Sequence, residues 1–103
     1  MRVIFIGDLV GGKAARAAAA WTAEVKKKAC ADFVIINAEN AAGGRGLKRA
    51  QAAELLEAGA DVLTLGNHAW GSSSLMKHIK SEERILRPGK VPAAWPGRSS
   101  LTV

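Results

Sequence analysis

Five residues of the sequence combine the donors that divalent metal ions prefer with a side chain that can transfer a proton: Asp8, Glu39, Asn40, Asn67 and His68. Carboxylate and amide oxygens suit hard cations such as Mg²⁺ or Mn²⁺, and an imidazole widens the choice to iron or zinc. A carboxylate can bridge two neighbouring ions, and two ions can hold both the attacking and the leaving oxygen of a phosphoryl transfer. These residue types therefore indicate metal-assisted phosphoryl transfer, with Glu39 as the candidate bridge and His68 as the candidate proton donor.

Each of these residues also has a simpler explanation when it is taken alone. Asp8 could cap a helix, Asn40 could form a turn, and His68 could be a hydrogen-bonded loop residue. Trp70 and Trp95 could line a pocket, although large aromatic residues in loops more often pack against the core. Three polar clusters that follow three successive strands are harder to explain as independent turns, and this joint placement favours a functional site.

The elements that must position these residues are three short apolar runs, at 3–6, 33–36 and 62–65, each of which ends just before one polar cluster. Continuous apolar runs rich in β-branched residues predict buried parallel strands. In open α/β sheets, ligands bind beyond the carboxyl ends of the strands, where the loops converge. The pattern thus predicts one shared site at that edge, and glycines such as Gly7 and Gly66 would permit tight turns there.

Helical periodicity fills the intervals between the strands. The first interval carries small or apolar residues on one predicted helix face, at Ala14, Ala18, Trp21, Val25 and Ala29. The second helix is predicted at 48–58, where Gly59 would end it. These elements predict an α/β fold with a parallel β-α-β-α-β core. A third helix through Leu75, Met76 and Ile79, a brief strand at 85–86 and the start of another strand at 101–103 are predicted to follow.

The composition is that of one globular domain, since 49% of the 103 residues are hydrophobic and 23% are charged. The formal net charge of +6 permits an anionic partner, but the only cationic run, Lys26-Lys27-Lys28, falls where cations stabilise a helix end. Cys30 is the only cysteine, which excludes an internal disulfide and fits a cytoplasmic location. No apolar segment reaches the roughly 20 residues of a membrane span or has the form of a signal peptide, so no membrane partner is expected.

The motif residues together resemble the YmdB-like branch of the calcineurin-like metallophosphoesterases. They are MRVIFIGDLVG at 1–11, NAENAAGG at 37–44 and GNHAW at 66–70, in the family's order. The resemblance implies a dinuclear metal phosphodiesterase for 2',3'-cyclic nucleotides or related phosphodiesters, with two divalent ions (Fe, Mn or Mg). It implies Asp8 on one metal, Glu39 between the two, Asn40 near the first, Asn67 on the second, and His68 as the catalytic histidine.

The resemblance also sets an expectation about completeness. The family completes its site with a later histidine and a Gly-His-x-His motif, neither of which lies in this sequence. Residues 1–103 are therefore expected to be a single truncated domain, the N-terminal half of a four-layer α/β/β/α fold, and inactive alone. Gly71 stands where the family commonly has an aspartate, which predicts weaker support behind His68.

Two alternatives belong to other functional classes. In a dinucleotide-binding domain, Gly7, Gly11 and Gly12 would follow the first strand, but their spacing is not Gly-x-Gly-x-x-Gly and Asp8 would repel a pyrophosphate. In a non-catalytic remnant, the open edge beyond the last strand would bind a partner or a second copy of the chain, giving a homo-oligomer.

Overall fold

The computed structural model describes residues Met1–Val103 and has seven elements. In chain order they are β1 (Val3–Ile6), α1 (Gly11–Lys28), β2 (Phe33–Asn37), α2 (Arg49–Glu57), β3 (Val62–Thr64), α3 (Ser73–Met76) and β4 (Ile85–Leu86). The strands form one parallel sheet in the order β1-β2-β3-β4. The predicted α/β class and β-α-β-α-β core are confirmed.

The sequential strand order places the helices on one face of the sheet, because successive right-handed crossovers in one direction stay on one side. Burial agrees with this arrangement. Val34, Ile36 and Leu63 are fully buried against the helices. On the opposite face, Val3 is 47% and Phe5 is 63% exposed. The molecule is thus a two-layer unit with one apolar sheet face open.

The predicted face of α1 is wrong in part. Trp21 is 48% exposed, and the buried residues of the helix are Ala15, Ala18, Ala19 and Thr22. These small side chains let α1 pack closely on the sheet and on α2. Residues 14–20 are nearly all alanine, so the sequence offers several equally small faces, and packing selects one of them. None of the helices is long and apolar enough to cross a membrane.

Two further predictions near the C-terminus need correction. The third helix ends at Met76, although Leu75 and Ile79 are both buried as expected. Residues 101–103 do not form a strand. Instead, Arg98 forms a parallel bridge with Leu86, and the Arg98 carbonyl accepts a hydrogen bond from the Arg87 N–H at 2.8 Å. The edge of β4 is therefore already occupied at that position.

Candidate active site at the strand ends

Main-chain hydrogen bonds continue the sheet beyond its strands and bring the polar clusters together. The Leu9 N–H donates to the Asn37 carbonyl and the Gly11 N–H donates to the Asn40 carbonyl, each at 3.1 Å. The Ala38 N–H donates to the Thr64 carbonyl at 3.0 Å. The loops after β1 and β2 are thereby held side by side at the carboxyl edge of the sheet.

Asp8, Asn40 and His68 form one chain of side-chain hydrogen bonds. The Asn40 Nδ2 donates to Asp8 Oδ1 at 2.9 Å, and Asn40 Oδ1 lies 2.8 Å from His68 Nδ1. A carboxylate only accepts hydrogen bonds, so it must face the amide nitrogen of Asn40, and the amide oxygen then faces the imidazole. Because that oxygen also only accepts, His68 carries a proton on Nδ1 and keeps Nε2 free.

The backbone at Asp8 adopts a conformation that L-residues rarely use, with φ of 48°. Aspartate tolerates this left-handed region better than most residues, and such positions cluster at functional sites. The side chain is exposed at the end of β1. Asp8 Oδ1 thus accepts a hydrogen bond from Asn40, while the Asp8 carboxylate remains accessible to a ligand.

Glu39 has a buried carboxylate oxygen without a partner. Oε2 is sequestered from solvent and accepts no hydrogen bond from the protein. Burying a charged oxygen in this way is costly unless a cation or a donor compensates for it. The carboxylate lies directly against Gly66, where an added Cβ would overlap it. Gly66 therefore makes space for Glu39, and its φ is not the reason for the glycine.

The side chain of Asn67, like that of Glu39, lies outside the hydrogen-bond chain of Asp8, Asn40 and His68. The structure thus brings Asp8, Asn40 and His68 into direct contact and places Glu39 beside Gly66. No three His, Cys, Asp or Glu side chains come close enough together to hold a metal ion. The donor types still fit a divalent cation, since they are carboxylate and amide oxygens and one carboxylate oxygen, Glu39 Oε2, is buried without a partner.

The loop after β2 packs against the loop after β3 through glycine backbones. A Cβ on Gly46 would lie 3.2 Å from the Gly71 carbonyl carbon, and a Cβ on Gly71 would lie 3.2 Å from the His68 oxygen. Gly71 thus permits close contact between the loops. The support of His68 that the structure does show comes from Asn40, whose Oδ1 lies 2.8 Å from the imidazole Nδ1.

Gln51 is a structural residue of this edge that the sequence analysis did not identify. Its Oε1 accepts a hydrogen bond from the Lys48 N–H at 3.1 Å, and its Nε2 donates to the Ala41 carbonyl at 2.8 Å. The side chain therefore joins the start of α2 to the loop that carries Glu39. A glutamine three residues after a helix cap is the signal that could have indicated this role.

A cavity of about 230 Å³ lies away from these residues and includes Leu56, His78, Glu82 and Arg84 in its lining. Hydrogen bonding to Arg84 lowers the pKa of Glu82, and the same bond raises the pKa of Arg84. The pair is an ordinary ion pair with an N–O distance of 2.8 Å. This cavity contains none of the five candidate residues.

The dinucleotide-binding alternative conflicts with the contacts at the start of α1. The Gly11 N–H, which would face a pyrophosphate, already donates to the Asn40 carbonyl. Asp8 also lies at this edge. The Gly11 N–H is therefore not available to hold a phosphate.

Comparison with known proteins gives a family match over nearly the whole chain. A family described as YmdB-like protein matches residues 4–103. The chain is 37% identical over 98 residues to a 2',3'-cyclic-nucleotide 2'-phosphodiesterase of Bacillus subtilis, a match that covers 95% of this chain and 37% of that protein. It is 34% identical to a putative phosphatase/phosphodiesterase of Mycoplasma pneumoniae, over 85% of this chain and 31% of that protein. The chain thus spans about a third of the length of these relatives.

Two solved structures share the fold, each with a TM-score of 0.85. One is a hypothetical protein from Thermus thermophilus, 40% identical, whose match covers 95% of this chain and 38% of that one. The other is described as a novel phosphatase from Mycoplasma pneumoniae, 32% identical, with 96% of this chain and 37% of that one covered. The two-layer unit therefore corresponds to part of a larger protein in both cases.

Proposed function

The chain belongs to the YmdB-like protein family, and from this membership we propose that it forms the metal-binding segment of a phosphodiesterase for 2',3'-cyclic nucleotides or related phosphodiesters. The observation that carries the proposal is the buried, unpaired Glu39 oxygen, which lies against Gly66 at the edge where Asp8, Asn40 and His68 meet. The name of the Bacillus relative supports the substrate class.

The residues that would hold two divalent ions (Fe, Mn or Mg) are Asp8, Glu39, Asn40 and Asn67, with Glu39 shared between the ions. Such ions, when bound, would neutralise charge on the phosphoryl oxygens and on the attacking water. The buried oxygen of Glu39 would then gain the compensating charge that the protein does not supply. Asn40 can contribute its amide oxygen because that atom has a second lone pair beside the His68 contact.

His68 is the proposed proton donor in this reaction. Asn40 fixes the proton on Nδ1, so a protonated imidazole presents its other N–H, at Nε2, to the substrate. As water forms a bond to phosphorus and the bond to the ribose oxygen breaks, Nε2 transfers its proton to that leaving oxygen, the water releases a proton to solvent, and the imidazole is reprotonated from solvent. The Asp8–Asn40 contact holds the amide in the orientation that this transfer needs.

We further propose that residues outside 1–103 complete the site, because no group of three His, Cys, Asp or Glu side chains is assembled within the chain. The relatives' greater length leaves room for such residues. The isolated chain is expected to bind Mn²⁺ weakly, below two ions per chain, and to have little or no turnover. Equilibrium dialysis with Mn²⁺ measures this, and two tightly bound ions per isolated chain would contradict it.

The substitution Glu39→Gln tests the proposed function in the complete protein. Removing one carboxylate charge from between two cations should lower metal-dependent hydrolysis of 2',3'-cyclic AMP by more than about a hundredfold. The matched control is Glu54→Gln, which changes an exposed glutamate on α2 and should leave turnover unaltered. Equal rates for Glu39→Gln and the unmodified protein would refute the assignment.

A further inference from the structure

A cavity of about 560 Å³ adjoins the candidate site and is lined by Asn67, Trp70, Trp95 and Pro96. Asn67 is a residue of the candidate site that also lines this cavity, and it directly precedes His68 in the chain. The cavity therefore borders the candidate site through Asn67. Its volume falls in the range of about 300–1,000 Å³ that is usual for small-molecule sites.

Two tryptophan rings form the wall of this cavity. The rings of Trp70 and Trp95 meet edge to face, with centroids 4.8 Å apart and an interplanar angle of 87°. Trp70 packs against the hydrophobic core, whereas Trp95 remains 47% exposed. One ring thus braces the other, and the outer ring presents an uncovered aromatic surface beside Asn67.

The loop that carries Trp95 is fixed at several points. The main-chain N–H of Trp95 donates to the Pro92 carbonyl at 3.0 Å. The buried Arg87 donates from Nε to the Gly97 carbonyl at 3.0 Å. Gly97 packs against Ile79, so closely that an added Cβ would lie 3.0 Å from its Cδ1. Trp95 is therefore held in place before any ligand binds.

We propose that this cavity, the tryptophan pocket, binds the nucleobase of the substrate, with Trp95 as the stacking surface and Asn67 as the polar group at its edge. Every base offers a flat π-face to an aromatic ring, and such stacking tolerates different bases. With its oxygen assigned to a metal ion, the Asn67 amide still offers N–H donors to an acceptor atom of the base or the ribose. The proposal rests on the proposed function, because it assigns the part of a cyclic nucleotide that lies beyond the phosphate.

Kinetics of the complete protein test the pocket against a base-free substrate. Trp95→Ala should raise KM for 2',3'-cyclic AMP about tenfold, with kcat nearly unchanged, because the base contributes binding but no chemistry. KM for ethylene glycol cyclic phosphate, which lacks a base, should not change. Trp95→Phe should restore most of the affinity. The matched control is Trp21→Ala, since Trp21 is equally exposed, at 48%, but lies on α1.

A binding measurement separates failure of the pocket from failure of the proposed function. In NMR spectra, adding adenosine 3'-monophosphate should shift the indole N–H signals of Trp70 and Trp95 and leave that of Trp21 in place, while ribose 5-phosphate should shift none. Shifted signals without hydrolysis of either substrate would reject the proposed function and retain the pocket. Unshifted signals, or equal effects of Trp95→Ala on both substrates, would reject the pocket.

Discussion

At the scale of single residues, the candidate site depends on pairs of side chains that satisfy each other. Asn40 donates to the carboxylate of Asp8 with its nitrogen and orients His68 with its oxygen. Gly66 has no side chain, which leaves room for the Glu39 carboxylate. Among these groups, the buried oxygen that lacks a partner is Glu39 Oε2. Because a buried charged oxygen needs a compensating positive charge, this geometry favours metal binding at Glu39.

Gly66→Ala should therefore weaken metal binding more than it weakens the fold. The new methyl group must displace the Glu39 carboxylate, so Mn²⁺ affinity of the complete protein, measured by isothermal titration calorimetry, should fall by about 10- to 100-fold. Gly89→Ala is the matched control, because a Cβ there meets nothing closer than 4.0 Å. An unchanged affinity for Mn²⁺ in Gly66→Ala would show that Glu39 does not contribute through this position.

At the scale of elements, β4 and the loop after it are joined by a buried arginine. Arg87 is 7% exposed, and its guanidinium donates to the carbonyls of Gly97 and Pro88 at 3.0 and 2.9 Å. Its backbone N–H also bonds to Arg98. The Arg87 guanidinium thus supplies hydrogen bonds to main-chain oxygens that no further strand pairs with, and it holds the loop that carries Trp95.

Arg87→Met should destabilise the protein by about 1.5–3 kcal/mol, since the partly buried carbonyls of Pro88 and Gly97 lose charged donors that an apolar side chain cannot replace. Urea unfolding measures the change. Arg98→Met removes an exposed ion pair with Glu83 and should cost less than about 1 kcal/mol. A loss for Arg98→Met as large as that for Arg87→Met would contradict the proposed anchoring role.

At the scale of the whole molecule, the two faces of the sheet differ sharply. The helices cover one face, and the other presents Val3 and Phe5 to solvent, with Phe33 and Ile35 half-buried. Contiguous exposed apolar surface of this kind favours association. Any self-association of the isolated chain is therefore predicted at this open face and not at the edge beyond the last strand, because Arg98 already bridges Leu86 at the edge of β4.

Phe5→Lys should accordingly shift the isolated chain toward the monomer. A charge on the open sheet face would have to be desolvated on association, which opposes self-association. Sedimentation velocity over a range of concentrations measures the distribution. Trp21→Lys adds the same charge on α1, away from the open face, and should leave association unchanged. The idea fails if both variants dissociate equally, or if the unmodified chain is monomeric throughout.

The parallel β-α-β-α-β order, and the positions of Asp8, Glu39 and His68 after successive strands, could be predicted from residue patterns. Continuous apolar runs and the residues that end them are local signals, so no three-dimensional information was needed. The packed face of α1, the fit of Glu39 against Gly66 and the contact of Trp95 with Trp70 required the folded structure. The alanines of α1 leave its rotation open, and the other two contacts join residues 27 and 25 positions apart. Such contacts depend on how the loops converge at the sheet edge, which no local pattern records.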